Sequence, residues 1–115
     1  MSEVFWFKHP VYTMYEGSSE GQIRSLYSGK ILKPCKDSDG YLKVALFKDK
    51  KQKCWRVHRF IFECFFCPIP WDMDIDHLDN NRENNCPDNL EAVTHCENKE
   101  RQQIRNRKRA EKAAS

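Results

Sequence analysis

Apolar and polar positions alternate along this chain in three different ways. In the first half, short alternations broken by turn signals predict a small antiparallel sheet. Ile23 and Leu26 supply one short strand, Ser28-Gly29 a tight turn, and Lys30 to Lys33 a second strand that Pro34 ends. Just before them, Glu16-Gly17-Ser18-Ser19-Glu20-Gly21 reads as a turn. Residues 1–11 mix aromatics with Lys8, His9 and Pro10, and the pattern leaves open an edge strand or a loose terminus. Asp37-Ser38-Asp39-Gly40 is a strong turn signal. The segment after it, Tyr41 to Lys48, is largely apolar on both faces, which predicts a central strand. Asp49-Lys50-Lys51-Gln52 then turns the chain into a hairpin partner, Lys53 to Val57.

From Val57 the period changes. Val57, Phe60, Ile61 and Cys64 fall at i, i+3, i+4 and i+7, which predicts a core helix to Phe66, ended by Pro68 and Pro70. The last third is organised differently again. Met73 to His77 and Leu90 to Val93 read as two short strands around an Asn-rich loop. So many amides in one loop imply side-chain to backbone bracing. Thr94 and Glu97 form a capping-box pattern that starts a final helix through Gln102 and Arg105, polar nearly all round. Its end, from Arg107, is expected to fray or to order on a partner.

Charge sharpens this picture. The 115 residues suit one domain and carry a net charge of only +3, but the charges are segregated. Glu20 to Phe60 holds eleven Lys/Arg against four Asp/Glu; Glu63 to Glu91 holds eight acidic residues and the single basic Arg82; Lys99 to Lys112 holds seven basic against two acidic. An acidic centre between two basic arms suits a cation site beneath a polyanion. No apolar run approaches the ~20 residues that span a bilayer, and Val4-Phe5-Trp6-Phe7 lacks the flanks of a signal peptide. A cytoplasmic protein with reduced cysteines is expected.

The chemistry concentrates in the acidic centre. Hydrolysis of a phosphodiester needs a water nucleophile, a base for its proton, and positive charge on the phosphoryl oxygens. His77 is the residue best suited to be that base, because imidazole titrates near working pH. Asp76 is a hard oxygen donor for Mg2+ or Mn2+, and Asn98 offers a second, neutral oxygen. Neighbours on a strand point to opposite sides, so Asp76 and His77 need a local twist or bulge to serve one phosphate.

The run Asp76-His77-Leu78-Asp79, Asn84-Asn85, Asp88-Asn89-Leu90-Glu91, Val93-Thr94 and Glu97-Asn98 resembles the HNH endonucleases, specifically the phage and intron homing-type subgroup. The resemblance reaches upstream through Gly21 to Leu26, Gly29 to Pro34, Asp39 to Val44 and Arg56 to Arg59, and covers roughly residues 12–104. It implies an α+β fold in which a small antiparallel sheet and core helix (12–67) precede a ββα-metal motif (72–106) and a basic tail (107–115). It also implies His77 as general base, Asp76 and Asn98 as ligands of one divalent ion, and Asn89 as the residue that steadies the loop holding His77. The products would be 5′-phosphate and 3′-hydroxyl ends on double-stranded DNA, in the host cell of a phage. Relatives often add a helix-turn-helix after this motif, and the sequence stops short of one. A monomer would nick one strand and a homodimer would cut both.

Contacts to DNA are expected from Arg24, from Lys50, Lys51 and Lys53 at the hairpin tip, from Arg59 and Arg82, and from Arg101 and Arg105 on the last helix. His58, at the start of the core helix, is read first as a buried, hydrogen-bonded residue and second as a further contact. Such contacts position a duplex and carry little sequence information. Cys64-Phe65-Phe66-Cys67 has zinc-knuckle spacing, with Cys86 and Cys96 as further thiols. The second Cys-x-x-Cys pair of zinc-bearing relatives is missing, since Thr94 and Glu97 stand where its thiols would be. Structural zinc is therefore not expected. Two other readings remain at this point: a non-catalytic DNA-binding module on a degenerate HNH scaffold, and a zinc-stabilised interaction domain.

Overall fold

The computed structural model describes residues 3–114, and side chains up to residue 108. The strands β1 (Trp6–Lys8), β2 (Tyr15–Ser18) and β3 (Ile23–Ser25) form one antiparallel sheet in that order. A second sheet has the order β4 (Cys35–Lys36), β5 (Leu42–Lys48), β6 (Lys51–Arg56). Helix α1 (Val57–Phe65) follows β6 without a break. A two-stranded hairpin, β7 (Met73–His77) with β8 (Leu90–Thr94), then leads into α2 (His95–Ala114). What the sequence implied for side chains from Arg109 onward lies outside the described residues.

Helix α1 organises the whole. Phe60 and Ile61 are fully buried, and the helix touches β1, β2, β5, β6 and β7. One apolar cluster joins Tyr15 and Ile23 of the first sheet, Val44 and Leu46 of the second, Val57, Phe60, Ile61 and Phe62 of α1, and Ile75 and Leu90 of the hairpin. The α+β class and the core helix agree with expectation, but the N-terminal half is two three-stranded sheets, not one. The edge-strand alternative is realised at residues 6–8.

Three local expectations are corrected. Glu16, Gly17 and Ser18 lie in β2 and not in a turn. Gly17 is there because α1 rests on it: a Cβ would sit 2.7 Å from Ile61 Cδ1 and 3.2 Å from Cys64 Sγ. Gly17→Ala should therefore cost about 1–3 kcal/mol by overpacking, read as a lower urea midpoint at unchanged m-value. An unchanged midpoint would show that Ile61 yields freely.

Lys30 to Lys33 pairs only through a single bridge, Ile31 with Arg24, because Pro34 has no N–H to extend a ladder. Strand β5 is central, yet only Val44 and Leu46 are buried, whereas Lys43, Ala45 and Phe47 are exposed. The sheet is covered on one face alone, so alternation wins over the apolar run.

His9, silent in the sequence, is a buried pin. Its Nδ1 accepts the N–H groups of Val11 and Tyr12, its Nε2 donates to Glu63 Oε1 at 2.8 Å, and its ring stacks on Phe60. Burial pushes the Glu63 carboxyl up, but the hydrogen bonds from His9 and the Ile69 N–H outweigh it and leave the group below its ordinary value. Cys64 lies under Gly17, and burial pushes its thiol up to about 12, as fits a small hydrophobe. All six cysteines are free thiols.

Candidate active site

The loop between β7 and β8 is held by the bracing its composition implied. Asn89 Nδ2 donates to Asp79 Oδ1 (2.9 Å) and to Asn84 O (2.9 Å), and Asn89 Oδ1 accepts the Asp79 N–H. Asn84 Nδ2 reaches the other Asp79 oxygen, and Asp79 Oδ1 also accepts the Asn81 N–H. Asn80 takes the left-handed turn conformation, which asparagine tolerates. These bonds, that from Asn84 first, hold the Asp79 carboxyl below its usual range. Asn89 thus ties both ends of the loop that begins at His77.

The ladder is regular through Asp76 opposite Glu91 and His77 opposite Leu90. No bulge interrupts it, and the two side chains leave β7 on opposite faces. Asp76 faces α2. Its Oδ1 accepts from Arg105 Nη1 (2.9 Å), and its Oδ2 from Arg105 Nη2 (3.0 Å) and Arg101 Nη1 (2.9 Å). Arg105 reaches the His77 carbonyl as well. Burial pushes the Asp76 carboxyl up, but the two guanidiniums override it and hold the group ionised below its usual range.

Asn98 sits one turn earlier on α2. It donates Nδ2 to Asp74 Oδ2 (3.2 Å), which also meets His95 Nδ1 (2.8 Å). Asp74 and Asp76 share one face of β7, so both expected ligands lie along the β7–α2 seam, each with a different partner. Thr94 Oγ1 caps the helix start by accepting the Glu97 N–H, as the capping pattern implied.

His77 faces α1 and is only 3% exposed. Its Nε2 lies 2.9 Å from Asn85 Oδ1. An amide oxygen can only accept, so Nε2 carries the proton and Nδ1 keeps the lone pair a base needs. The His58 ring is 4.8 Å away and stacks on Tyr41, which completes a small aromatic wall. Burial lowers the proton affinity of His77, and with the nearby positive groups takes His58 down to about 3.

The expected DNA contacts divide. Lys50, Lys51 and Lys53 are exposed at the β5–β6 hairpin, and Arg59 is partly exposed on α1. His58 is 4% exposed and stacked on Tyr41, a buried position beside the equally buried His77 and not a place on the surface. Arg24 is committed to Glu16 (Nε to Oε1, 2.7 Å) and to the face of Trp6. Arg82 lies over Tyr41 and donates to the Asp39 carbonyl. Arg101 and Arg105 are paired with Asp76, so here they neutralise a carboxylate and do not stand free for phosphate. Sequence reasoning missed Asn85, Asp74, Tyr41 and this pairing. Helical spacing alone places Asn98, Arg101 and Arg105 on one face at i, i+3 and i+7, and was the available signal.

Among the described residues, no group of three or more His, Cys, Asp and Glu side chains converges on one point, and no helix is long and apolar enough to cross a membrane. Comparison with known proteins gives a coherent result. Residues 56–100 match the HNH endonuclease family model, and residues 5–47 match the NUMOD4 motif. The chain is 38% identical over 91 residues to DNA endonuclease I-HmuI of Bacillus phage SP01, covering 79% of this chain and 52% of that protein. It is 32% identical over 81 residues to an uncharacterized HNH endonuclease, L245, of Acanthamoeba polyphaga mimivirus, covering 70% of this chain and 24% of that one. The chain thus spans about half the length, or less, of these relatives.

A solved structure, described as DNA binding and cleavage by the HNH homing endonuclease I-HmuI, superposes with a TM-score of 0.81 at 34% identity. The match covers 96% of this chain and 66% of that one. With the Asp76-His77 strand end, the Asn-braced loop and Asn98 on the following helix, these matches establish that the chain belongs to the HNH endonuclease family.

Proposed function

We propose that this protein is a metal-dependent endonuclease that hydrolyses phosphodiester bonds of double-stranded DNA. The observation that carries the reading is the ββα unit with Asp76, His77 and Asn98 at its strand end and helix start, within a fold that follows the DNA-cleaving I-HmuI over 96% of this chain. His77 takes the proton of the attacking water at Nδ1, its lone pair kept available by the bond from Nε2 to Asn85. Asn89 fixes the loop at whose start His77 stands.

Asp76 and Asn98 fit a hard divalent cation by donor chemistry: a carboxylate, and an amide oxygen left over once Asn98 Nδ2 is spent on Asp74. They would hold one Mg2+ or Mn2+, which when bound supplies positive charge to the phosphoryl oxygens and leaving group. Arg101 and Arg105 compete for the same carboxylate, and phosphate is the natural alternative partner for both guanidiniums. The exposed lysines of the β5–β6 hairpin supply backbone contacts. Likeness to a phage protein supports a phage-encoded enzyme acting in the host cytoplasm.

Supercoiled plasmid incubated with Mg2+, Mn2+ or EDTA tests this. Open-circle or linear product in either metal and none in EDTA is expected; open circles alone indicate one-strand nicking, and linear product indicates paired sites such as a homodimer's. A second reading, a DNA-binding module without catalysis, is favoured by the Asp76–Arg101–Arg105 ion pairs, which occupy both carboxylate oxygens. A gel shift with no cleavage in either metal would select it.

A further inference from the structure

We infer that Asn85 is a positioning residue that fixes the tautomer and ring orientation of His77, and that Gly21, in the turn of the β2–β3 hairpin, fixes Asn85. The functional weight of this relay rests on the proposed role of His77 as base; the relay itself rests on packing alone. Asn85 is 3% exposed, and its amide oxygen is the hydrogen-bond partner of His77 Nε2. A neutral imidazole carries one proton on two nitrogens, and in water both tautomers are populated. A buried acceptor at Nε2 removes that freedom, because the other tautomer would set two lone pairs against each other where no water can intervene.

The position of Asn85 is constrained by a segment distant in sequence but packed directly against it. Gly21 has φ +81, and a Cβ on it would lie 2.6 Å from the Asn85 carbonyl carbon, 2.8 Å from its oxygen and 3.0 Å from its Cβ. These are mostly backbone atoms and cannot swing aside. The turn that carries Gly21 is itself rigid. Ser18 is fully buried, its Oγ accepts the N–H groups of Glu20 and Gln22, and its carbonyl accepts that of Gly21. Opposite Asn85, the rings of His58 and Tyr41 back the His77 ring. The N-terminal sheet therefore works as a strut for a side chain more than fifty positions downstream, and the requirement for glycine at 21 is twofold: conformation and clearance.

The test uses the whole metal-free chain with 15N-labelled histidine at pH 7.5. Long-range proton–nitrogen correlation reads which ring nitrogen of His77 is protonated, with the signals assigned by their loss in His77→Gln. The wild type should show one protonated and one bare nitrogen, with Nε2 protonated. Asn85→Leu should move both signals toward the average of two exchanging tautomers. Asn85→Asp, which still offers an acceptor, should keep the wild-type pattern.

Gly21→Ala should displace the His77 signals, and signals that stay in place would overturn the Gly21 half of the inference. Should Asn85→Leu fail to fold, Asn85→Ser, whose hydroxyl is too short to reach the ring, carries the same comparison. In the plasmid assay Asn85→Leu should lower kcat by about 10²-fold with KM within a few-fold of wild type, because a base in the wrong tautomer binds DNA but cannot take a proton. A wild-type imidazole pattern in Asn85→Leu would overturn the inference whatever the activity. If the wild-type chain itself failed to cleave, the endonuclease reading would fall while the nitrogen spectrum still decided the relay.

Discussion

Replacing His77 by alanine should reduce plasmid cleavage in Mg2+ by about 10³-fold, within the usual range for a lost general base, while duplex binding in a gel shift stays near wild type. The ring is the imidazole of the β7 strand end, and the Asn85 bond leaves its Nδ1 with a lone pair. The exposed lysines at the β5–β6 hairpin tip are untouched by the change, so affinity for the duplex should survive. Truncation also removes ring contacts with His58 and Tyr41 and leaves the Asn85 oxygen without its donor. A loss of about 2 kcal/mol in stability is therefore expected alongside. The urea midpoint of the variant separates lost chemistry from a lost fold. Wild-type cleavage by a folded His77→Ala protein would remove His77 from the mechanism.

Acidification should destabilise this protein well before its carboxylates titrate, and His58 is the main reason. Burial first, then the charges of His77, Arg59 and Arg56, lower its folded value to about 3 from an ordinary 6.5. Between those two values the unfolded chain binds a proton that the folded chain refuses. Stability from this group is full above pH 6.5 and is lost as the pH falls toward 3, by on the order of 5 kcal/mol over the whole window. About 2 kcal/mol of that falls between pH 6.5 and 5.

His77, whose value burial also lowers, acts in the same direction. Asp76, Asp74 and Glu63 have lowered values and act only further down, below the ordinary carboxylate range. The interval from 6.5 to 5 thus belongs to the histidines. His58→Phe keeps an aromatic ring against Tyr41 and removes the titration, so chemical denaturation across that interval should show a visibly flatter profile. An unchanged slope would mean that His58 is protonated in the folded protein.

The helix at Val57 and the two strands of the ββα unit were legible because local pattern and burial agree there. Phe60 and Ile61 recur at helical spacing, and Thr94 is a cap wherever the chain leads. What escaped was set by contacts between distant segments. Gly17 looks like turn chemistry until α1 is known to lie 2.7 Å from where its Cβ would be. Tyr41 to Lys48 reads as doubly apolar because nothing local says that only one face of the sheet receives a helix. His9 has no distinguishing neighbours in the sequence, yet it is buried in an aromatic stack. His58 could be read as buried only because it opens the core helix. Among the many asparagines of one loop, only the path of the chain decides that Asn85, not Asn84, meets His77. The Asp76-His77 pair was visible at once, but a regular ladder sends its members to opposite faces, each to a different helix.

The family match that begins at residue 56 divides the chain almost where β6 becomes α1, as if the N-terminal half were an accessory. The packing contradicts such a seam. Tyr15, Ile23, Val44 and Leu46 from one side of it and Ile75 and Leu90 from the other meet in a single cluster around α1. A fragment trimmed to the catalytic-looking segment would keep α1 but strip most of its cover, leaving Phe60 and Ile61 against water. Transplanting the ββα unit into another protein therefore means moving strands β1 to β6 with it, as an inseparable half of the same folding unit.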